Sequence, residues 1–131
     1  MKIGKIFKTV LFLFLLLFFC GCATPAKAVN PLCNIWYIPK APTTLRLSFT
    51  PDGRMVGVLG LNNFFAPVRY LSKGGIEIHS IAITRRGEYP DFADRFFKTL
   101  RSAHFAGVRG DKLYLFDKDK KKIMTLTRMP Q

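Results

Sequence analysis

Residues 45–61 read LRLSFTPDGRMVGVLGL, and this stretch decides the fold class. Leu45, Leu47 and Phe49 alternate with Arg46 and Ser48, the period-2 mark of a strand with one buried face. Thr50-Pro51-Asp52-Gly53 then supplies a tight turn: proline presets φ, aspartate can bond the turn backbone, and glycine tolerates positive φ. Arg54 to Leu61 returns as the partner strand. Its apolar residues fall on both faces and it is rich in glycine, which predicts a central or strongly bent strand.

Working outward, the same punctuation recurs. Asn34 to Ile38 reads as a first strand stopped by Pro39 and Pro42. Phe64 to Leu71 and Gly75 to Ser80 flank Ser72-Lys73-Gly74-Gly75 as a second hairpin, and Ile81 to Thr84 can continue as a further short strand. Asp91 to Ala103 changes period. Phe92, Ala93, Phe96, Phe97, Leu100 and Ala103 fill one arc of a helical wheel, while Asp94, Arg95, Lys98, Arg101 and Ser102 fill the other. Asp91, after Pro90, is placed to cap this helix, and Arg101 suits its C-terminal end. His104 to Arg109, Lys112 to Phe116 and Ile123 to Arg128 complete the strands, the last two joined by the charged tip Asp117 to Lys122. The expectation is a mainly β (α+β) fold. About eight short antiparallel strands close, or nearly close, into a small barrel, with one helix at about 91–103 packed over an opening.

The 131 residues carry 21 Lys+Arg against 8 Asp+Glu, and that length fits one ordinary domain, excluding an enzyme with a separate cofactor fold. The apolar residues are unevenly spread. Lys2, Lys5 and Lys8 precede an unbroken apolar run from Val10 to Phe19, followed by Cys20-Gly21-Cys22-Ala23. A basic start and a short apolar stretch make a secretory signal, and the run is about half of what a membrane span requires. Gly21-Cys22 resembles a bacterial lipobox, which makes 1–21 a lipoprotein signal peptide and Cys22 the lipidation site. Residues 22–31 are then a lipidated N-terminus and tether, and 32–131 the domain. An ordinary cleaved signal ending at Ala26 or Ala28, or an uncleaved anchor, are the alternatives. Acyl chains on Cys22 would hold the protein on a membrane. Ala23 does not supply an aspartate-type inner-membrane retention signal, so the expected location is the periplasmic face of the outer membrane.

With Cys20 removed and Cys22 lipidated, Cys33 alone remains, either as a small buried hydrophobe or as an exposed thiol; the domain must fold on its core. The chemistry of catalysis is missing from the pattern. His79 and His104 are the only histidines and belong to no spaced ligand set, and there is no G-x-S-x-G and no phosphate-cradling loop before a helix. No enzyme, metal or cofactor is expected. Without the first 21 residues the chain still carries 18 basic and 8 acidic side chains. For an exported protein this charge points to anionic lipid or an acidic partner rather than nucleic acid.

The order of motifs resembles the META domain, or HslJ-like, family of small bacterial envelope proteins. The residues that carry the resemblance are Trp36-Tyr37-Ile38, Leu45 to Phe49, Pro51-Asp52-Gly53-Arg54, Gly57 and Gly60-Leu61-Asn62-Asn63-Phe64. They continue with Ile81-Ala82-Ile83-Thr84-Arg85, the helix ending near Leu100, Gly110 to Leu115 and Ile123 to Arg128. The resemblance implies a barrel-like fold with one helix, and links to envelope stress, antibiotic tolerance and secretion. It also implies a likeness to lipid-binding pilot proteins and brings no catalytic residues. Where many members carry cysteines, this chain has Leu61 and Glu88, which removes any redox role.

Three expectations about sites follow. Asn62, in a dense apolar strand, needs a polar partner, which the hydroxyl or guanidinium of Thr84-Arg85 could supply. Phe64, Phe65, Phe92, Phe96, Phe97 and Leu100 line either the core or the mouth of a cavity for an acyl chain. Arg95, Lys98 and Arg101 form a basic face that could meet an envelope protein, making the chain an assembly factor for secretion or outer-membrane machinery.

Overall fold

The computed structural model describes residues 30–131, so the expected signal peptide (1–21), Cys22 and most of the expected tether (22–31) lie outside the described residues. Nine strands form: β1 (Ile35–Tyr37), β2 (Leu45–Thr50), β3 (Arg54–Leu59), β4 (Asn62–Tyr70), β5 (Ile76–Ile78), β6 (Ala82–Ile83), β7 (Phe105–Arg109), β8 (Lys112–Phe116) and β9 (Lys122–Arg128). One α-helix, α1 (Ala93–Arg101), falls between β6 and β7. Eight strands run in the order β5-β4-β3-β2-β1-β9-β8-β7, and β6 pairs with β4 outside that path. The two ends of the path meet where Gly75 bridges Phe105 and the Ile76 N–H donates to the His104 carbonyl at 2.9 Å. The result is a nearly closed antiparallel barrel, mostly β, as the sequence predicts.

The hairpin that decided the fold pairs Leu45 with Leu59 through Thr50 with Arg54. Gly53 at its tip has φ 87°, and a Cβ there would lie 2.8 Å from the Val68 carbonyl oxygen. The Thr50 hydroxyl bonds the Asp52 carboxylate, and Arg54 lies 3.0 Å from it. Together these hold that carboxyl below its ordinary range. The Tyr70 hydroxyl, on β4, donates to the Thr50 carbonyl at 2.7 Å, and burial pushes this phenol up to about 12.

Leu47, Met55, Leu59, Phe64, Ala66, Leu113, Leu115 and Leu126 point inward and are buried. The helix packs on the barrel, burying Ala93, Phe96, Phe97 and Leu100 in the same core. Phe64, Phe96 and Phe97 pack edge to face in a closed triangle, with ring centroids 5.1–5.9 Å apart. Gly57, paired with Phe64, makes room for that ring, because a Cβ at Gly57 would come within 2.1 Å of the Phe64 ring and 2.7 Å of the Arg46 carbonyl oxygen. Trp36 is fully buried and its indole N–H donates to the Leu32 carbonyl at 2.9 Å, fastening the start of the domain. The strands, the helix and the buried core of the described residues fall within residues 32–128, all of them inside a chain of residues 23–131.

The expected cap is not made. The helix starts at Ala93, after Phe92, and no side chain caps it. The Ala93 N–H already bonds the Pro90 carbonyl at 2.9 Å, which places Asp91 inside a turn one position too early. The acid used here is Asp94, which accepts from the Tyr89 hydroxyl at 3.0 Å.

Candidate functional site

Asn62 is the buried polar residue of the core, and its partners differ from those expected. Its Oδ1 accepts from the backbone N–H of Arg86 at 2.6 Å and of Gly87 at 3.4 Å, while its Nδ2 donates to the Glu88 carbonyl at 3.3 Å. Neither the Thr84 hydroxyl nor the Arg85 guanidinium bonds it. The reason is the pleat. Asn62 points inward with Phe64 and Ala66, whereas Thr84 lies alongside Asn63, taking the Asn63 N–H on its hydroxyl and giving its own N–H to the Asn63 carbonyl, each at 2.9 Å. The Arg85 guanidinium stacks over the Tyr89 ring, 5.0 Å from its centroid. Asn62 therefore pins the 86–88 loop by matching peptide groups, and a carboxamide is the side chain that can both donate and accept there. Leu61 is 75% exposed and lies against Gly87, so position 61 and the loop carrying Glu88 adjoin.

The aromatic set divides into two. Phe64, Phe96, Phe97 and Leu100 are core, Phe92 is half-buried, and Phe65 points outward, 52% exposed. Beneath the helix the interior holds the buried side chains of Phe64, Phe96, Phe97 and Leu100. A concavity lies instead on the outer face of β1–β4. This open groove of about 590 Å³ is lined by Ile35, Arg46, Val56, Val58 and Phe65 among others.

The strand register builds that groove. Ile35 pairs with Ser48, Ser48 with Val56, Val56 with Phe65 and Phe65 with Ala82. These outward side chains form a stripe about 19 Å across, given strand spacings of ~4.8 Å. Ile35 is 50% and Val56 41% exposed. Arg46 stands beside Val58 on one flank, and Arg54 beside Thr50 on the other. Among the described residues Arg46 has no carboxylate within ion-pair distance, while Arg54 is tied to Asp52. The sequence held the signal for this site: apolar Val56 and Val58 on the face opposite Met55 and Leu59, read only as evidence for a central strand.

The other candidate residues stay apart from this groove. Arg95, Lys98 and Arg101 are exposed on α1, and none forms an ion pair among the described residues. His79 lies 3.4 Å from Glu77, which also meets Arg69 at 3.4 Å, in an exposed cluster. His104 Nδ1 lies 2.9 Å from the Ser102 carbonyl. Cys33 is half-buried, and desolvation pushes its thiol up. Among the described residues no group of three His, Cys, Asp or Glu is placed to hold a metal.

Comparison with known proteins adds the family. Two solved structures share the fold at low identity. A DUF4847 family protein from Bacteroides vulgatus is 18% identical with a TM-score of 0.54, the match covering 66% of this chain and 60% of that one. A protein from Burkholderia xenovorans, determined by NMR, is 14% identical with a TM-score of 0.58, covering 83% of this chain and 98% of that one. No functionally curated protein matches the sequence. The META domain profile matches residues 31–130, which is the whole barrel with its helix. On that match the chain belongs to the META domain family.

Proposed function

We propose that this META domain protein is a lipid-anchored, non-enzymatic protein of the bacterial envelope, whose barrel holds an acyl chain in the groove on its outer face. The observation that carries the reading is the exposed Ile35–Val56–Phe65 stripe lining an open groove on the outer face of the barrel. An acyl chain needs apolar surface that is not already spent on the core, and three of the five exposed large apolar side chains among the described residues, Ile35, Val56 and Phe65, stand together in this stripe. The anchor is supported by the Gly21-Cys22 pattern behind a short apolar run. The family's association with envelope stress, antibiotic tolerance and secretion is the physiological setting that fits such a module.

Two measurements test it. Intact mass of the protein extracted from bacterial membranes is expected to show acyl chains on a chain beginning at Cys22, absent from Cys22→Ser. A chain beginning after Ala26 or Ala28 would replace the anchor with plain secretion. For the groove, the 23–131 chain is expected to bind a fluorescent long-chain fatty acid. Covering the exposed half of Phe65 is worth about 1 kcal/mol, so Phe65→Ala should weaken binding roughly fivefold. The Lys98→Glu/Arg101→Glu pair should leave binding unchanged.

The second reading, an assembly factor for secretion or outer-membrane machinery, rests on the exposed cations Arg95, Lys98 and Arg101. Loss of a captured envelope protein on helix charge reversal, with fatty-acid binding absent from the parent chain, would favour it.

A further inference from the structure

We infer that the outer face of β1–β4 is a docking surface for an anionic lipid bilayer, so that the domain lies groove-down on the membrane. The inference deepens the acyl-binding reading of the groove and rests on it for the chemistry of the stripe. It commits the occupant to the bilayer surface rather than to a single extracted lipid.

Three observations carry it. The first is charge. The outward side chains of β1–β4 include Arg46, Arg54 and Arg69 and no carboxylate. Asp52 lies beyond the end of the stripe in the hairpin turn, paired with Arg54, and Glu77 lies on β5, meeting Arg69. Arg46 is left without an acidic partner among the described residues, directly beside the groove. Basic residues near an anionic surface each add to partitioning, and Arg46 and Arg54 stand on opposite flanks of the stripe, as headgroup contacts around a shallow apolar insertion would.

The second is shape. The groove is open along the sheet, and Ile35, Val56 and Phe65 stand out from it with about half of their surfaces in water. A bilayer covers such a stripe with its own interfacial region, acyl chains included.

The third is the path of the chain. Leu32 and Trp36 fasten the start of the domain to the barrel, and Ile35, between them, is the first member of the stripe. Seven residues lie between Cys22 and Asn30, a reach of at most about 28 Å over the eight steps, so a lipid on Cys22 would hold the start of the domain and β1 near the membrane.

The test is co-sedimentation of the 23–131 chain with phosphatidylcholine vesicles, with and without phosphatidylglycerol. The chain is expected to bind the phosphatidylglycerol vesicles, and binding should fall steeply with salt. Arg46→Glu and Val56→Asp are each expected to lower partitioning roughly tenfold. Both positions are exposed, so the variants should keep the parent circular dichroism and melting midpoint. Lys98→Glu/Arg101→Glu should change partitioning much less. Equal binding to both vesicle types, indifference to Val56→Asp, or abolition by the helix pair would overturn the inference. So would a concentration-dependent dimer that Val56→Asp dissolves, since the stripe would then belong to a second copy of the chain. Fatty-acid binding without vesicle binding would overturn the docking surface and leave the acyl-chain groove standing. Vesicle binding without fatty-acid binding would do the reverse.

Discussion

Truncation of Phe97 to alanine is expected to cost about 3–5 kcal/mol, read as a lower denaturant midpoint at unchanged slope. The side chain is 1% exposed and stands edge-on to both Phe64 and Phe96, at 5.1 Å from each ring centroid. Removing it leaves two aromatic rings with a void between them, and the sheet below cannot collapse into that space. β4 is fixed there by pairing to β3 and β6, and the backbone at Gly57 is already in close approach to Phe64. The outward Phe65, one residue along the same strand, is the contrast. Its truncation should cost no more than about 0.5–1 kcal/mol, because half of it is already in water. A loss below about 1 kcal/mol at Phe97 would mean that the helix covers a pliable cavity, which would return the acyl-binding site to the barrel interior.

The second large effect is expected at Asn62. Leucine fills similar space but makes none of the three hydrogen bonds to Arg86, Gly87 and Glu88. Each buried backbone group left without a partner costs about 1–3 kcal/mol, and part is recovered if the 86–88 loop swings out to water. A net loss of roughly 2–4 kcal/mol follows, with hydrogen-exchange protection lost at the Arg86 amide. Thr84→Val should be milder, at about 1 kcal/mol, because one hydroxyl acceptor for the Asn63 N–H is removed. Neither change touches the outer stripe, so fatty-acid binding should survive in the folded fraction. Loss of binding with intact stability in Asn62→Leu would give the polar cluster a ligand role in place of a structural one.

Much of the barrel was legible in the sequence because its elements carry strong local patterns. The alternation in Leu45 to Phe49 and the Pro-Asp-Gly turn define a hairpin without tertiary information, and the helical arc of Ala93 to Leu100 identifies the face that is buried. Closure was only partly legible, since it depends on Gly75 meeting Phe105, two residues thirty positions apart with no pattern in common. The cap at Asp91 misled because a good capping residue beside a proline does not fix which turn the helix begins on. At Asn62 the sequence showed that a partner was required. It could not show that backbone would supply it, because backbone groups have no letter in the sequence. The groove was hardest to see. Val56, Phe65 and Ile35 come from three strands, and they form a stripe only once the register aligns them.

The most direct test of the outer-face site is amide NMR of the 23–131 chain titrated with a long-chain fatty acid. The largest shifts are expected at Ile35, Arg46 to Ser48, Arg54 to Val58 and Asn63 to Phe65, with Phe96 to Leu100 nearly still. Shifts concentrated on Phe96 to Leu100 and Phe64 would place the ligand under the helix and contradict an outer-face site.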